Sequence, residues 1–186
     1  MKRLAILLLA VNLLGGAFVG CDQQPAVTED PVATKEEQDL PRGRITKFGL
    51  FRERGKGWVQ DDANAGTGRV IRGATLDFTE DTNRIPLRKG VFFGYRYWLK
   101  FSSLENQVSF RRVLIHPQMI LPDGSKVTRS ERKIGKGTTH GIVTSIDAYA
   151  LSEDYELVAG EWIFQLWYEE KMLAEQKFTT YWPAEE

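Results

Sequence analysis

From residue 42 onward, apolar and polar residues alternate with period two almost throughout, and no stretch carries a convincing 3.6-residue apolar stripe. Successive side chains on a strand point to opposite faces, so the pattern predicts half-buried strands. The clearest run is residues 91–101. Val91, Phe93, Tyr95, Tyr97, Leu99 and Phe101 make one apolar face, while Phe92, Gly94, Arg96, Trp98 and Lys100 make the other. This reads as a central strand. Trp162, Phe164, Leu166 and Tyr168 form a second apolar face. A turn at Glu169-Glu170-Lys171 and a return strand through Met172, Ala174 and Phe178 complete a predicted hairpin.

Val70, Ala74, Leu76 and Phe78 mark another strand, and Ile142, Thr144 and Ile146 a further one. Between Val108 and Ile115 the apolar parity switches from even to odd, which predicts a bulge near Arg111-Arg112. Weaker runs at 44–51 and 125–131, rich in Lys and Arg, fit edge strands that resist aggregation. Turns are expected at Arg54-Gly55-Lys56-Gly57, Asp62 to Gly68, Pro122-Asp123-Gly124 and Gly135-Lys136-Gly137. Seven or eight strands so punctuated predict an all-β domain over 42–186, a two-sheet antiparallel sandwich with a small barrel as the alternative.

The first 41 residues follow a different pattern. Lys2 and Arg3, the apolar Leu4 to Leu14, and Gly15-Gly16-Ala17 have the three parts of a secretory signal, and the apolar part is short for a membrane span. It ends in Phe18-Val19-Gly20-Cys21, which resembles the lipobox of bacterial lipoproteins, with Phe18 standing where Leu is usual. That resemblance implies cleavage between Gly20 and Cys21 and lipidation of Cys21. Several acyl chains, at about 0.8 kcal/mol per buried methylene, anchor a protein firmly. Asp22 resembles the inner-membrane retention signal of enteric lipoproteins, with the outer membrane as the alternative. Residues 21–41, with Pro25, Pro31 and Pro41 among acidic and polar residues, read as the lipidated cysteine and a disordered tether spanning roughly 25 Å. The expected location is the bacterial envelope, facing the periplasm.

Composition narrows the chemistry. Cys21 is the only cysteine, so the domain must hold itself by its core without a disulfide. Removing Lys2 and Arg3 with the signal leaves 23 basic and 25 acidic residues, a near-neutral balance that argues against nucleic acid as a partner. His116 and His140 are the only histidines, too few for an ordinary His/Cys metal site, and neither a metal nor a cofactor is expected. His116, before a proline at a strand end, reads as a loop cap, and His140 as a rim residue. No Ser stands in a nucleophile elbow, and Glu169-Glu170 and Glu185-Glu186 are neighbours that strand geometry would point apart. Gly66-Thr67-Gly68 shares only its glycines with a phosphate-binding loop. No catalytic residue is assigned.

Two surface features are candidates for interaction. Lys126, Arg129, Arg132, Lys133 and Lys136 form a basic strip that would suit anionic headgroups or an acidic partner. Trp98, between Arg96 and Lys100, would anchor a partner if exposed.

The end of the chain, Tyr155 to Trp162 and the closing hairpin, looks like the end of many immunoglobulin-like envelope domains. The wider order comprises Ile85-Pro86, Gly90, Phe93-Gly94, His116-Pro117, Pro122-Asp123-Gly124, Glu156-Leu157-Val158, Gly160-Glu161-Trp162, Ala174-Glu175 and Phe178. It is similar to the bacterial family known as domain of unknown function 3859, over about residues 42–182, with Ala159 where that family has Pro. The resemblance implies an immunoglobulin-like sandwich in the cell envelope and no reaction. Three functions follow in order of expectation. The first is a membrane-tethered, non-enzymatic module binding a protein or other envelope component. The second is a carrier or sensor of a small apolar ligand held between the sheets. The third is an envelope hydrolase using His116 or His140.

Overall fold

The structure, a computed structural model, describes residues 40–184 apart from 63, 64, 66 and 103–105. Gly20, Cys21, Asp22, the signal and the tether up to residue 39 lie outside the described residues, as do Gly66 and Glu185-Glu186. The described chain forms β1 (Arg42–Gly55), β2 (Trp58–Asp61), β3 (Arg69–Arg72), β4 (Thr75–Glu80), β5 (Arg84–Pro86), β6 (Val91–Lys100) and β7 (Gln107–Ile120). There follow β8 (Lys126–Gly137), β9 (Ile142–Leu151), a 3-10 turn (Asp154–Glu156), β10 (Gly160–Tyr168) and β11 (Lys171–Tyr181).

Two sheets pack face to face, ordered β4-β1-β6-β9 and β5-β11-β10-β7-β8, and β2 with β3 forms a separate hairpin. Neighbours are antiparallel except β5 beside β11. This is the sandwich and not the barrel. β6 is central, paired with β1 on one side and β9 on the other, because its odd-numbered face is apolar along the whole strand. Phe93, Tyr95, Tyr97 and Leu99 are fully buried against Trp162, Phe164 and Leu166 of β10 and Phe178 of β11. The Phe93 ring meets Trp162, Phe164 and Phe178 edge-on at 5.4, 5.7 and 5.3 Å. Such pairs contribute about 0.5–1.5 kcal/mol each beyond the area they bury.

Several local expectations are corrected. There is no bulge at Arg111-Arg112. β7 runs in regular register with β8 from Gln107 to Ile115, and the irregularity falls between Ile115 and Met119. The parity break arises because the inward, even position between Phe110 and Leu114 holds Arg112, a buried charge. On β9 the buried side chains are odd-numbered (Val143, Asp147 and Leu151), so the apolar Ile142 and Ile146 lie on the other face. Met172 is exposed, since a shift after Leu166 puts Leu173 and Ala174 inside instead.

The single strand expected through Val70 and Phe78 is two strands. Gly73, with φ of 72°, turns the chain between β3 and β4, and a side chain there would strike the Trp58 ring. The run at 44–51 is not simply an edge, since β1 pairs with β6 and, from Leu50 onward, also with β4. The run at 125–131 does begin an edge strand, β8, and Gly135-Lys136-Gly137 lies within that strand, not in a turn.

Candidate functional site

β9 ends one sheet and β8 ends the other on the same side of the sandwich, and a cleft of about 740 Å³ lies there, bounded by the β2–β3 hairpin. Its centre is an ion pair that bridges the two sheets. Arg112 projects inward from β7 and Asp147 inward from β9, and their side chains are only 8% and 7% exposed. Arg112 Nε donates to both Asp147 oxygens, at 3.0 and 2.8 Å, and the Tyr95 hydroxyl donates to Oδ2 at 3.2 Å. The guanidinium also lies 5.5 Å from the Phe164 ring centre.

Desolvation of two charges costs several kcal/mol per ion, and only close, well-formed contacts offset it. Burial works against the charged form of Arg112. The Asp147 carboxylate outweighs that effect, so the guanidinium pKa is raised. Burial, then the Asp147 charge, lifts the Tyr95 hydroxyl well above its ordinary value, and burial pushes Tyr97 up to about 12. Nearby, the Tyr149 hydroxyl donates to Glu156 Oε1 at 2.8 Å and is likewise held neutral, chiefly by burial. Glu156 Oε2 accepts the backbone N–H groups of Ser152 and Glu153 at 2.6 and 2.9 Å, which closes the 3-10 turn.

Arg132 is the least satisfied member. It stands directly opposite Arg112 in the β7–β8 register, so two like charges face one another across paired strands. Its Nε is buried without a hydrogen-bond partner among the described residues. Its nearest acid is Asp62, at 3.6 Å, and the same Asp62 oxygen lies 3.7 Å from Arg72 on β3. Burial and then Arg112 lower the Arg132 pKa. At the rim, Arg69 donates to Glu153 Oε1 at 2.9 Å and to the Tyr155 hydroxyl at 3.4 Å.

His116 also lines the cleft, and it is a core residue, not a loop cap. It is 5% exposed, with its ring 5.1 Å from that of Trp162. Its Nδ1 donates to the Pro117 carbonyl at 2.8 Å. Burial lowers its pKa, the hydrogen bond to Pro117 opposes this, and Arg112 adds to the lowering. The folded protein therefore holds it neutral down to a lower pH than the unfolded chain does. Stability is complete above the ordinary imidazole value of about 6.5 and is lost as pH falls through it toward the folded value, because the unfolded chain takes up the proton first. Urea unfolding at two pH values, on either side of this window, should show that loss, and it should shrink in His116→Gln. An equal loss in both proteins would assign it to other groups. His140 is exposed at a φ of 52°, and its carbonyl accepts from Lys100 at 2.7 Å.

The basic strip is divided by the strand that carries it. Arg132 and Lys136 occupy the inward face of β8 and line the cleft, whereas Arg129 and Lys133 lie on the exposed face and Lys126 at the exposed start of the strand. Arg129 pairs with Glu131 at 2.8 Å, and Arg111 with the same acid at 3.1 Å. Trp98 is half-buried on the opposite sheet, opposite Arg44, with the Arg44 and Arg42 guanidiniums 4.9 and 6.0 Å from its ring. Trp98 and the strip therefore belong to different sheets. The exposed large apolar residues on the hairpin are Trp58, Val59 and Ile71. Sequence reasoning missed Arg112 and Asp147. For Arg112 the signal was a charge on the apolar parity of its strand, between Phe110 and Leu114, whereas Asp147 carried none, because Ile142 and Ile146 mark the other face as the apolar one.

Among the described residues no three His, Cys, Asp or Glu side chains converge as a metal site. The family model described as Domain of unknown function (DUF3859) matches residues 36–180, and the chain belongs to that family. The fold is similar to the crystal structure of an immunoglobulin-like protein from Pseudomonas aeruginosa, with a TM-score of 0.51 and 23% identity. That match covers 75% of this chain and 97% of the other, and it establishes the immunoglobulin-like fold alone. No curated protein matches the chain.

Proposed function

We propose that the protein is a non-enzymatic envelope lipoprotein, anchored to a membrane through Cys21 and facing the periplasm, whose sandwich binds an envelope component in the cleft between β8 and β9. The inner membrane is favoured by Asp22. The observation that carries the binding reading is the cleft itself. Its volume falls within the roughly 300–1,000 Å³ of ordinary ligand sites, and charged groups converge on it.

Those groups are arranged for recognition more than for reaction. His116 commits Nδ1 to a backbone carbonyl, and Asp147 and Glu156 are each engaged by several donors. General acid–base work needs a titratable group within reach of a reacting atom and a pKa near the working pH, and the tyrosines here are held far from it. The carrier of an apolar ligand has less support. Aromatic rings fill the space between the sheets, and the cleft beside them is lined by Arg112, Arg132 and Asp147.

A photo-crosslinking side chain placed at Ser145, on the cleft face of β9, tests the reading in cells. It is expected to capture one species repeatedly, and capture is expected to drop when Cys21→Ser removes the anchor. The same probe at Lys133, on the exposed face of β8, should capture little. Capture of the same species equally from both positions would refute binding in the cleft.

A further inference from the structure

The cleft carries an excess of positive charge in its lining. Arg69, Arg72, Arg96, Arg112, Arg132 and Lys136 face Asp147, Glu153 and Glu156. Three of these cations are gathered at one point. Arg112 and Arg132 oppose each other on paired strands, and Arg72 comes to the same Asp62 oxygen as Arg132. Among the described residues Asp147 and Asp62 face these cations, and the two differ in how they meet the arginines. Asp147 is in full hydrogen-bond contact with Arg112 and Tyr95. Asp62 stands 3.6 Å from Arg132 and 3.7 Å from Arg72, an ion-pair distance that is too long for a hydrogen bond.

A guanidinium has five N–H donors in a planar fork that matches a carboxylate or phosphate edge. Among the described residues the buried Nε of Arg132 is unmatched. An uncompensated donor of this kind costs free energy unless something occupies it. Desolvation and repulsion from Arg112 both weigh against its charged form, and the charge of a bound anion would offset them.

We propose that Arg132 and Arg72, with Arg112 adjoining, form an oxyanion subsite of the cleft that takes a carboxylate or phosphate group of the ligand. Asp62 occupies the position of weakest contact between the two arginines and competes with the incoming anion. The proposal rests on the cleft being the binding site and adds the chemistry of what binds. Its failure is separable, because crosslinking from Ser145 does not depend on an anionic ligand.

The test uses the full-length protein in detergent, with inorganic phosphate and succinate as probes and chloride at matched ionic strength as the reference. Calorimetric titration and melting curves are expected to show saturable binding of phosphate, succinate or both, which distinguishes the two oxyanion sources. Arg132→Met should weaken it at least tenfold, and Lys133→Met, on the other face of the same strand, should leave it unchanged. Asp62→Asn should tighten it several-fold by removing the competing carboxylate. In chloride, Arg132→Met should melt no lower than the parent, since it loses a poorly matched buried charge. No saturable binding of either probe would overturn the proposal, as would equal binding by Arg132→Met. Asp62→Asn binding no tighter than the parent would also overturn it, and that arm stands even if the Arg132 variant does not fold. A large loss of stability in Arg132→Met would assign Arg132 to the fold alone.

Discussion

Asp147→Ala is expected to lower the unfolding free energy by about 3–5 kcal/mol, because it leaves Arg112 charged and buried without its partner. For a domain of this size each kcal/mol shifts the melting temperature by about 2–4 °C, so a fall of roughly 10 °C should appear in thermal denaturation. The Tyr95 hydroxyl loses its acceptor in the same variant, which adds to the loss. Replacing both charges, Arg112→Met with Asp147→Leu, should recover most of it, since a buried pair contributes little over an apolar pair of similar volume. That contrast separates the worth of the pair from the penalty of orphaning one member. If the single and double variants melted together, the inter-sheet bridge would not be an isolated two-body interaction.

Phe93→Ala is expected to cost about 3–5 kcal/mol, the range for emptying a fully buried aromatic position. Its ring touches both sheets: Tyr149 of β9 on its own sheet, and Trp162, Phe164 and Phe178 across the interface. Trp162, Phe164 and Phe178 are themselves fully buried, bulky rings that can fill the space only in part, so the cavity term should be substantial. Phe92→Ala, one residue away on the half-buried opposite face, should cost clearly less. Equilibrium unfolding in guanidinium of both variants provides the comparison. Equal losses would mean that the two faces of β6 are not distinguished as the structure has them.

Much of the strand framework was legible because alternation is a local property. Val91 to Phe101 and Trp162 to Tyr168 alternate cleanly, and each became a strand with the apolar face inward. Two of the misreadings came where a charge occupied an inward position. Arg112 on β7 breaks the alternation and reads as a bulge, and Asp147 on β9 holds an inward position that the face of Ile142, Thr144 and Ile146 leaves out. Only the pairing of β7 with β10 and of β9 with β6 sets these charges against each other. The basic strip misled for a related reason: charge density along the chain ignores that a strand sends neighbours to opposite sides.

The sequence by itself determined the all-β class, the central place of β6, the closing hairpin and the family, because alternation, turn residues and motif order are written locally. The tertiary structure alone decided that β8 and β9 lie at the same side of the sandwich, that Arg112 meets Asp147 between the sheets, and that Arg132 is left facing a like charge. The two charge relations join residues 35 and 20 positions apart, and the energy of a buried charge depends on what desolvates and pairs it, which no local pattern encodes.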